Sequence, residues 1–220
     1  MTAPSPLVPT HTAPRSLTEL EVGGGEDLTK QCFSVLYEGP TGSGKSHNIA
    51  SWPRPIMVAT AEAHNLTLEG FAAEHPGEIT IFYLQSWGDF ASVFVPDVEN
   101  RLFAAKTIAT DGIGPLTDWY WAERQGTRSN LNQNDWGEGK KTLKAMFSRL
   151  ISATKPKADK PMYHVVGSVH LSNVSTETGG VVAIRPAVMG AFKEDLGAQF
   201  GSAFLCQSRI QRTLNPATQQ

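Results

Sequence analysis

Cysteine is scarce: the chain holds two, Cys32 and Cys206, both in apolar, strand-like runs. Thiols placed that way read as small buried hydrophobes in a reducing compartment, which argues against a disulfide-stapled scaffold and against a cysteine metal site. An excess of one charge is also lacking. Nineteen basic side chains stand against twenty-one acidic ones, for a net charge of −2. No global basic field announces nucleic acid, so any such binding has to come from a local patch. No apolar run approaches the roughly 20 residues of a membrane span. There is no apolar signal core at the N-terminus and no internal repeat, which predicts a cytoplasmic protein without a membrane partner. What remains, at 40% hydrophobic and 18% charged over 220 residues, is room for one sizeable α/β core.

What is present is concentrated in Gly39-Pro40-Thr41-Gly42-Ser43-Gly44-Lys45-Ser46, which fits the phosphate-loop pattern G-x-x-x-x-G-K-[ST]. The apolar, β-branched run 32–38 before it reads as a buried strand. Residues 45–52 after it can form a helix closed by Pro53. Strand, glycine loop and helix come in the order the chemistry needs. Glycines let backbone N–H groups turn inward around phosphate oxygens where a side chain would block approach. The helix start adds partial positive charge. In that pattern Lys45 reaches the β- and γ-phosphates and Ser46 places its hydroxyl on Mg²⁺.

Elsewhere the pattern alternates strands and helices. Strands are predicted at 56–60, 79–84, 106–111, 162–169 and 202–206, with a return strand at 181–184. Helices are predicted at 86–102, at 112–124 after a turn, at 140–154 and near 193–200. Ser86 with Asp89 reads as a capping pair, and Pro96 should kink or split the helix it starts. The aromatics Trp119, Tyr120 and Trp121 read as core. Residues 1–30 are a Pro/Thr/Ala-rich arm and a polar lead-in with Gly23-Gly24-Gly25, and residues 213–220 a fraying tail. Residues 31–212 form the expected core.

Three polar residues fall just past strand ends, where ligands bind in open α/β sheets. Glu62 is placed to act as a general base on an attacking water, or is a solvated loop carboxylate. Asp111 ends an apolar run, the place of a carboxylate that holds Mg²⁺ directly or through water. His170 is either a group that senses the γ-phosphate or an ordinary strand-end histidine. Residues 125–139 read as a long polar loop carrying a modest basic cluster, Arg124, Arg128, Lys140 and Lys141, at its borders. Residues 171–185 read as a hairpin with Glu177 to Gly180 at its tip.

These motifs agree in type and order with RecA-like ATPases. Gly39 to Ser46 resembles the Walker A loop, Ala59 to His64 the segment carrying a water-activating glutamate, Thr107 to Thr117 the Walker B strand, and Val165 to His170 the γ-phosphate sensor strand. The pattern from Val165 to Gly190 is most similar to phage RecA-like, single-domain nucleotide-binding or single-strand-annealing proteins. The resemblance covers about 33–212. It implies a RecA-like P-loop NTPase fold of AAA-ATPase kind, three-layer, with a mostly parallel central sheet flanked by helices. It further implies ATP and Mg²⁺ as cofactors, a homo-oligomeric ring or filament, single-stranded DNA along residues 125–139 and 171–182, a single-strand-binding protein as a further partner, and, for a viral protein, the host cytoplasm. Three departures stand against it: Glu177 is the one charge in the second loop before Arg185, Gly112 replaces a typical Ser, and Arg209 and Arg212 alone offer arginine fingers. Two readings are therefore kept: a DNA-linked ATPase, and a nucleotide-gated assembly module with little hydrolysis and no DNA. A small-molecule kinase is a third, weakened by the lack of an arginine-rich lid.

Overall fold

The computed structural model describes residues 31–63, 65–175, 181–188 and 192–207. The expected arm and lead-in at 1–30, the hairpin tip, Arg209, Arg212 and the tail at 213–220 lie outside the described residues. The elements run β1 (Ser34–Gly39), α1 (Lys45–Ala50), β2 (Ile56–Thr60), α2 (Leu66–Glu74), β3 (Ile79–Tyr83), α3 (Val95–Glu99), β4 (Thr107–Asp111), α4 (Ile113–Gln125), α5 (Gln133–Ile151), β5 (His164–Ser175), β6 (Val181–Pro186), α6 (Phe192–Gln199) and β7 (Ser202–Leu205).

Six strands are parallel, in the order β3-β2-β4-β5-β1-β7. β6 pairs antiparallel with the far half of β5, from Leu171 opposite Pro186 to Ser175 opposite Val181. Strand parity sorts the apolar side chains into two cores. Leu36, Ala59, Ile108, Val165 and Val169 point to one face, under α3, α4, α5 and α6. Ile56, Val58, Ile79, Ala109 and Val166 point to the other, under α1 and α2. Helices therefore cover both faces, the layering of an α/β fold. No helix among the described residues is long and apolar enough to cross a membrane.

Pro96 lacks the N–H that a regular helix needs, and the chain answers with a π-helical turn at Asp89–Phe94 ahead of α3. Ser86 accepts from the Asp89 N–H at 3.1 Å, while the Asp89 carboxylate reaches back to the Gln85 N–H at 2.7 Å. α5 begins seven residues earlier than the sequence suggests. Asn132 and Asp135 close a capping box, and Gly139, which read as loop, is a close helix contact: a Cβ there would enter the Trp121 ring. The connector shrinks to residues 126–132. α2 was not expected. Its apolar residues spread around the helix rather than forming one stripe, with Leu66 exposed and Leu68 buried.

Arg101 ties the far end of α5 to the sheet. It sits at φ 59° and is buried, and its guanidinium donates to the carbonyls of Ala153, Ser152 and Lys155. It also lies 5.5 Å from the Tyr163 ring centroid. Two of these carbonyls also take a backbone donor, Ser152 from the Lys155 N–H at 3.1 Å and Ala153 from the Tyr163 N–H at 3.0 Å. Arg101→Leu should cost about 1–2 kcal/mol, by removing charge-assisted hydrogen bonds while two of the three carbonyls keep their backbone donors. A urea titration checks this: the midpoint should fall with unchanged m, and an unchanged midpoint would show that water replaces the guanidinium.

Candidate functional site

The chain leaves β1 toward the face of α1 and leaves its neighbour β5 toward the face of α6. Where two adjacent strands part this way, a crevice opens at their carboxyl ends. It is a cleft of about 440 Å³, walled by the glycine loop, Lys45, Ser46, Glu62, Asn65, Asp111 and His170. The registers align the walls: Gly39 lies opposite His170 and Thr60 opposite Asp111. The residues expected from three separate strand ends and the glycine loop thus share one cavity.

The loop itself demands glycine. Gly42 and Gly44 have φ of 75° and 87°, a region that other residues rarely enter. A Cβ on Gly39 would lie 2.6 Å from the Cys206 carbonyl at the end of β7. α1 is short, ending at Ala50. Ser51 folds its hydroxyl onto the Asn48 carbonyl at 2.7 Å, and Trp52 turns inward to donate to the Tyr37 hydroxyl at 3.1 Å. The residue before Pro53 is steered out of helix in any case.

Lys45 is only 6% exposed. Its ammonium donates to the carbonyls of Gly39 at 2.9 Å and Pro40 at 2.8 Å, and meets His170 Nδ1 at 3.2 Å. An ammonium has no acceptor, so Nδ1 must accept. The His170 proton then sits on Nε2, which faces Glu62 Oε1 at 3.4 Å. Lysine, histidine and glutamate form one chain, and all three ammonium protons are committed. Burial pulls the Lys45 pKa below its ordinary value, and the negative charge of Asp111 opposes that pull.

Asp111 is 2% exposed and is held by three neutral donors. Ser46 Oγ reaches Oδ2 at 2.9 Å, Asn65 Nδ2 reaches Oδ2 at 2.6 Å, and Ser168 Oγ donates to Oδ1. Ser168 in turn accepts from the Gly112 N–H at 3.1 Å, where φ of 83° requires the glycine. Asn65 also caps α2, accepting from Leu68 N–H at 3.1 Å. Thr60 Oγ1 accepts from Glu62 N–H at 3.1 Å and orients that loop. Asn65, Ser168 and Thr60 were missed by sequence reasoning. Ser168 carried a signal, since it is polar within a buried strand, while Asn65 carried only its place before an apolar run.

The hard oxygens of Ser46 and Asp111 are the donors Mg²⁺ takes. Among the described residues no three His, Cys, Asp or Glu side chains cluster as a self-sufficient metal site, so such an ion would complete its shell with phosphate and water. The buried hydroxyl of Ser43 has no hydrogen-bond partner among the described residues and lies on the Gly39 and Cys206 side of the loop, outside this cleft.

The basic cluster lies elsewhere, around the start of α5, and is largely paired. Arg124 binds Glu138 at 2.6 Å, Arg128 binds Asp135 at 3.2 Å and Lys140 binds Asp195 at 3.0 Å; Lys141 is exposed. Compared with protein-family models and with curated proteins, the chain matches none.

Proposed function

We propose that this chain is an ATP-binding, RecA-like ATPase that acts on single-stranded DNA in recombination or annealing of the phage type. The observation that carries the reading is the convergence of Lys45, Ser46, Glu62, Asp111 and His170 on one cleft at a glycine loop. Titratable groups gathered in a cleft with a buried lysine are the physical signature of a reacting site. Lys45 exchanges its carbonyl partners for phosphate oxygens. Ser46 and Asp111 would hold Mg²⁺, which would supply neutralisation of phosphate charge. Glu62 orients a water and takes its proton as the oxygen bonds to the γ-phosphorus and the bond to the β-phosphate oxygen breaks. Lys45 also meets His170 Nδ1 at 3.2 Å, and β5 runs directly from His170 into its antiparallel pairing with β6, a route by which nucleotide state would reach that strand pair.

Hydrolysis is expected to rise with single-stranded DNA. If Arg124, Arg128, Lys140 and Lys141 make the contacts, log affinity should fall against log salt with a slope of about −3, four contacts at roughly −0.7 each. A turnover assay with and without DNA across a salt series tests both points, and binding that ignores salt would remove the DNA from the reading. The second reading, a nucleotide-gated assembly module without DNA, is favoured by the ion pairs that already occupy Arg124, Arg128 and Lys140. It predicts an oligomer that changes with ATP while hydrolysis stays negligible.

A further inference from the structure

Glu62 walls a second cleft besides the one at the glycine loop. This cleft, of about 330 Å³, opens at the carboxyl ends of β2 and β3, with Trp119 of α4, Tyr83 and Gln85 around it. Among the described residues Glu62 is its one carboxylate, and no cationic side chain lines it. The Tyr83 hydroxyl donates to Glu69 Oε1 of α2 at 2.5 Å, so that ring turns to the α2 side of the sheet and leaves Trp119 as the aromatic face of the cleft. A phosphate or carboxylate ligand would meet the like charge of Glu62. An aromatic face and a carboxylate both favour a positive charge, and they do so best for a flat or compact group with N–H donors. The volume suits a small ligand or the end of one long side chain.

We propose that this second cleft binds an organic cation, a guanidinium or a primary ammonium, with its N–H donors on Glu62 and its charge against Trp119. Its source is either an arginine or lysine side chain of a second copy or a free small polyamine. The consequence is regulatory. Glu62 Oε1 already faces His170 Nε2 at 3.4 Å, and a bound cation competes for the same carboxylate. Occupancy therefore sets how free Glu62 is on the nucleotide side. That consequence rests on the role proposed for Glu62 above, whereas binding itself does not.

The test titrates agmatine into the full, nucleotide-free chain against matched sodium chloride, following tryptophan emission. A saturable change is expected, absent in Trp119→Phe, with affinity weakened about tenfold or more in Glu62→Gln. Tyr83→Phe keeps the ring, loses only the Glu69 bond, and should bind within about threefold of the native chain. Sedimentation over a protein-concentration series separates the sources. Dissociation of a self-associated form by agmatine identifies the side chain of a second copy, and a monomer throughout identifies the free cation. No saturable change in the native chain, or equal affinity in Glu62→Gln, overturns the proposal. A protein that binds agmatine yet hydrolyses no ATP would fail the ATPase reading alone.

Discussion

Glu62→Gln is expected to bind ATP as the native chain does and to hydrolyse it at least about 100-fold more slowly, the lower range of what a positioned general base supplies. The substitution is close to isosteric. The Gln side-chain oxygen still accepts from His170 Nε2, so the lysine–histidine chain that shapes the cleft survives. The glycine loop, Ser46 and Asp111 are untouched, because Asp111 takes its donors from Ser46, Asn65 and Ser168 and none from Glu62. Only basicity is lost. The expected signature is therefore a fall in kcat with unchanged nucleotide affinity, the mark of an interaction made in the transition state alone. A single-turnover assay beside equilibrium nucleotide binding reads both quantities. Normal hydrolysis by Glu62→Gln would remove the base from its place, and the chain would then fit the assembly module better than the ATPase.

How much of this could be read from the residues differs between sheet and site. The central strands were legible because burial on both faces writes a continuous apolar run: Ile56–Thr60 matches its expected bounds and Thr107 starts its strand within a residue of expectation, while the edge strands from Ile79 and Ser202, largely exposed, also start where expected. Helices were harder wherever tertiary packing rather than stripe pattern defines them. α2 hides because Leu66 and Leu68 face opposite environments. The first turns of α5 hide because Gly137 and Gly139 read as loop, when Gly139 is small so that the Trp121 ring can approach. A glycine demanded by packing and one demanded by a turn look the same in a sequence.

In the site, the groups with one chemical purpose were legible and those that position them were not. Lys45, Ser46 and Asp111 follow from a spacing pattern and a strand-end rule. Asn65 and Ser168 act through contacts 46 and 57 residues away in the chain, which no local pattern encodes. The pairing of His170 with both Lys45 and Glu62 likewise depends on β5 lying beside β1, a fact of strand order.

Lys45→Ala is expected to lower nucleotide affinity by at least about 100-fold, since a charge-assisted contact to phosphate is lost. Its effect on the fold should stay within about 1 kcal/mol. Removing a buried ammonium relieves a desolvation cost, and the cleft leaves room for water to reach the Gly39 and Pro40 carbonyls. The native chain offers a second readout that the variant cannot. Burial lowers the Lys45 pKa, against the pull of Asp111, so the free protein gives up this proton before an ordinary lysine would, near 10.4. Above the lowered pKa the ammonium that phosphate needs is lost, and ATP affinity should fall on the alkaline side earlier than for a surface lysine. Stability moves the other way. Between the lowered pKa and about 10.4 the unfolded chain holds more protons than the folded one, so this group makes stability rise with pH there. Affinity and stability with opposite alkaline slopes, both flattened in Lys45→Ala, would tie the two effects to one buried ammonium. Parallel slopes, or slopes that persist in the variant, would place the titrating group elsewhere.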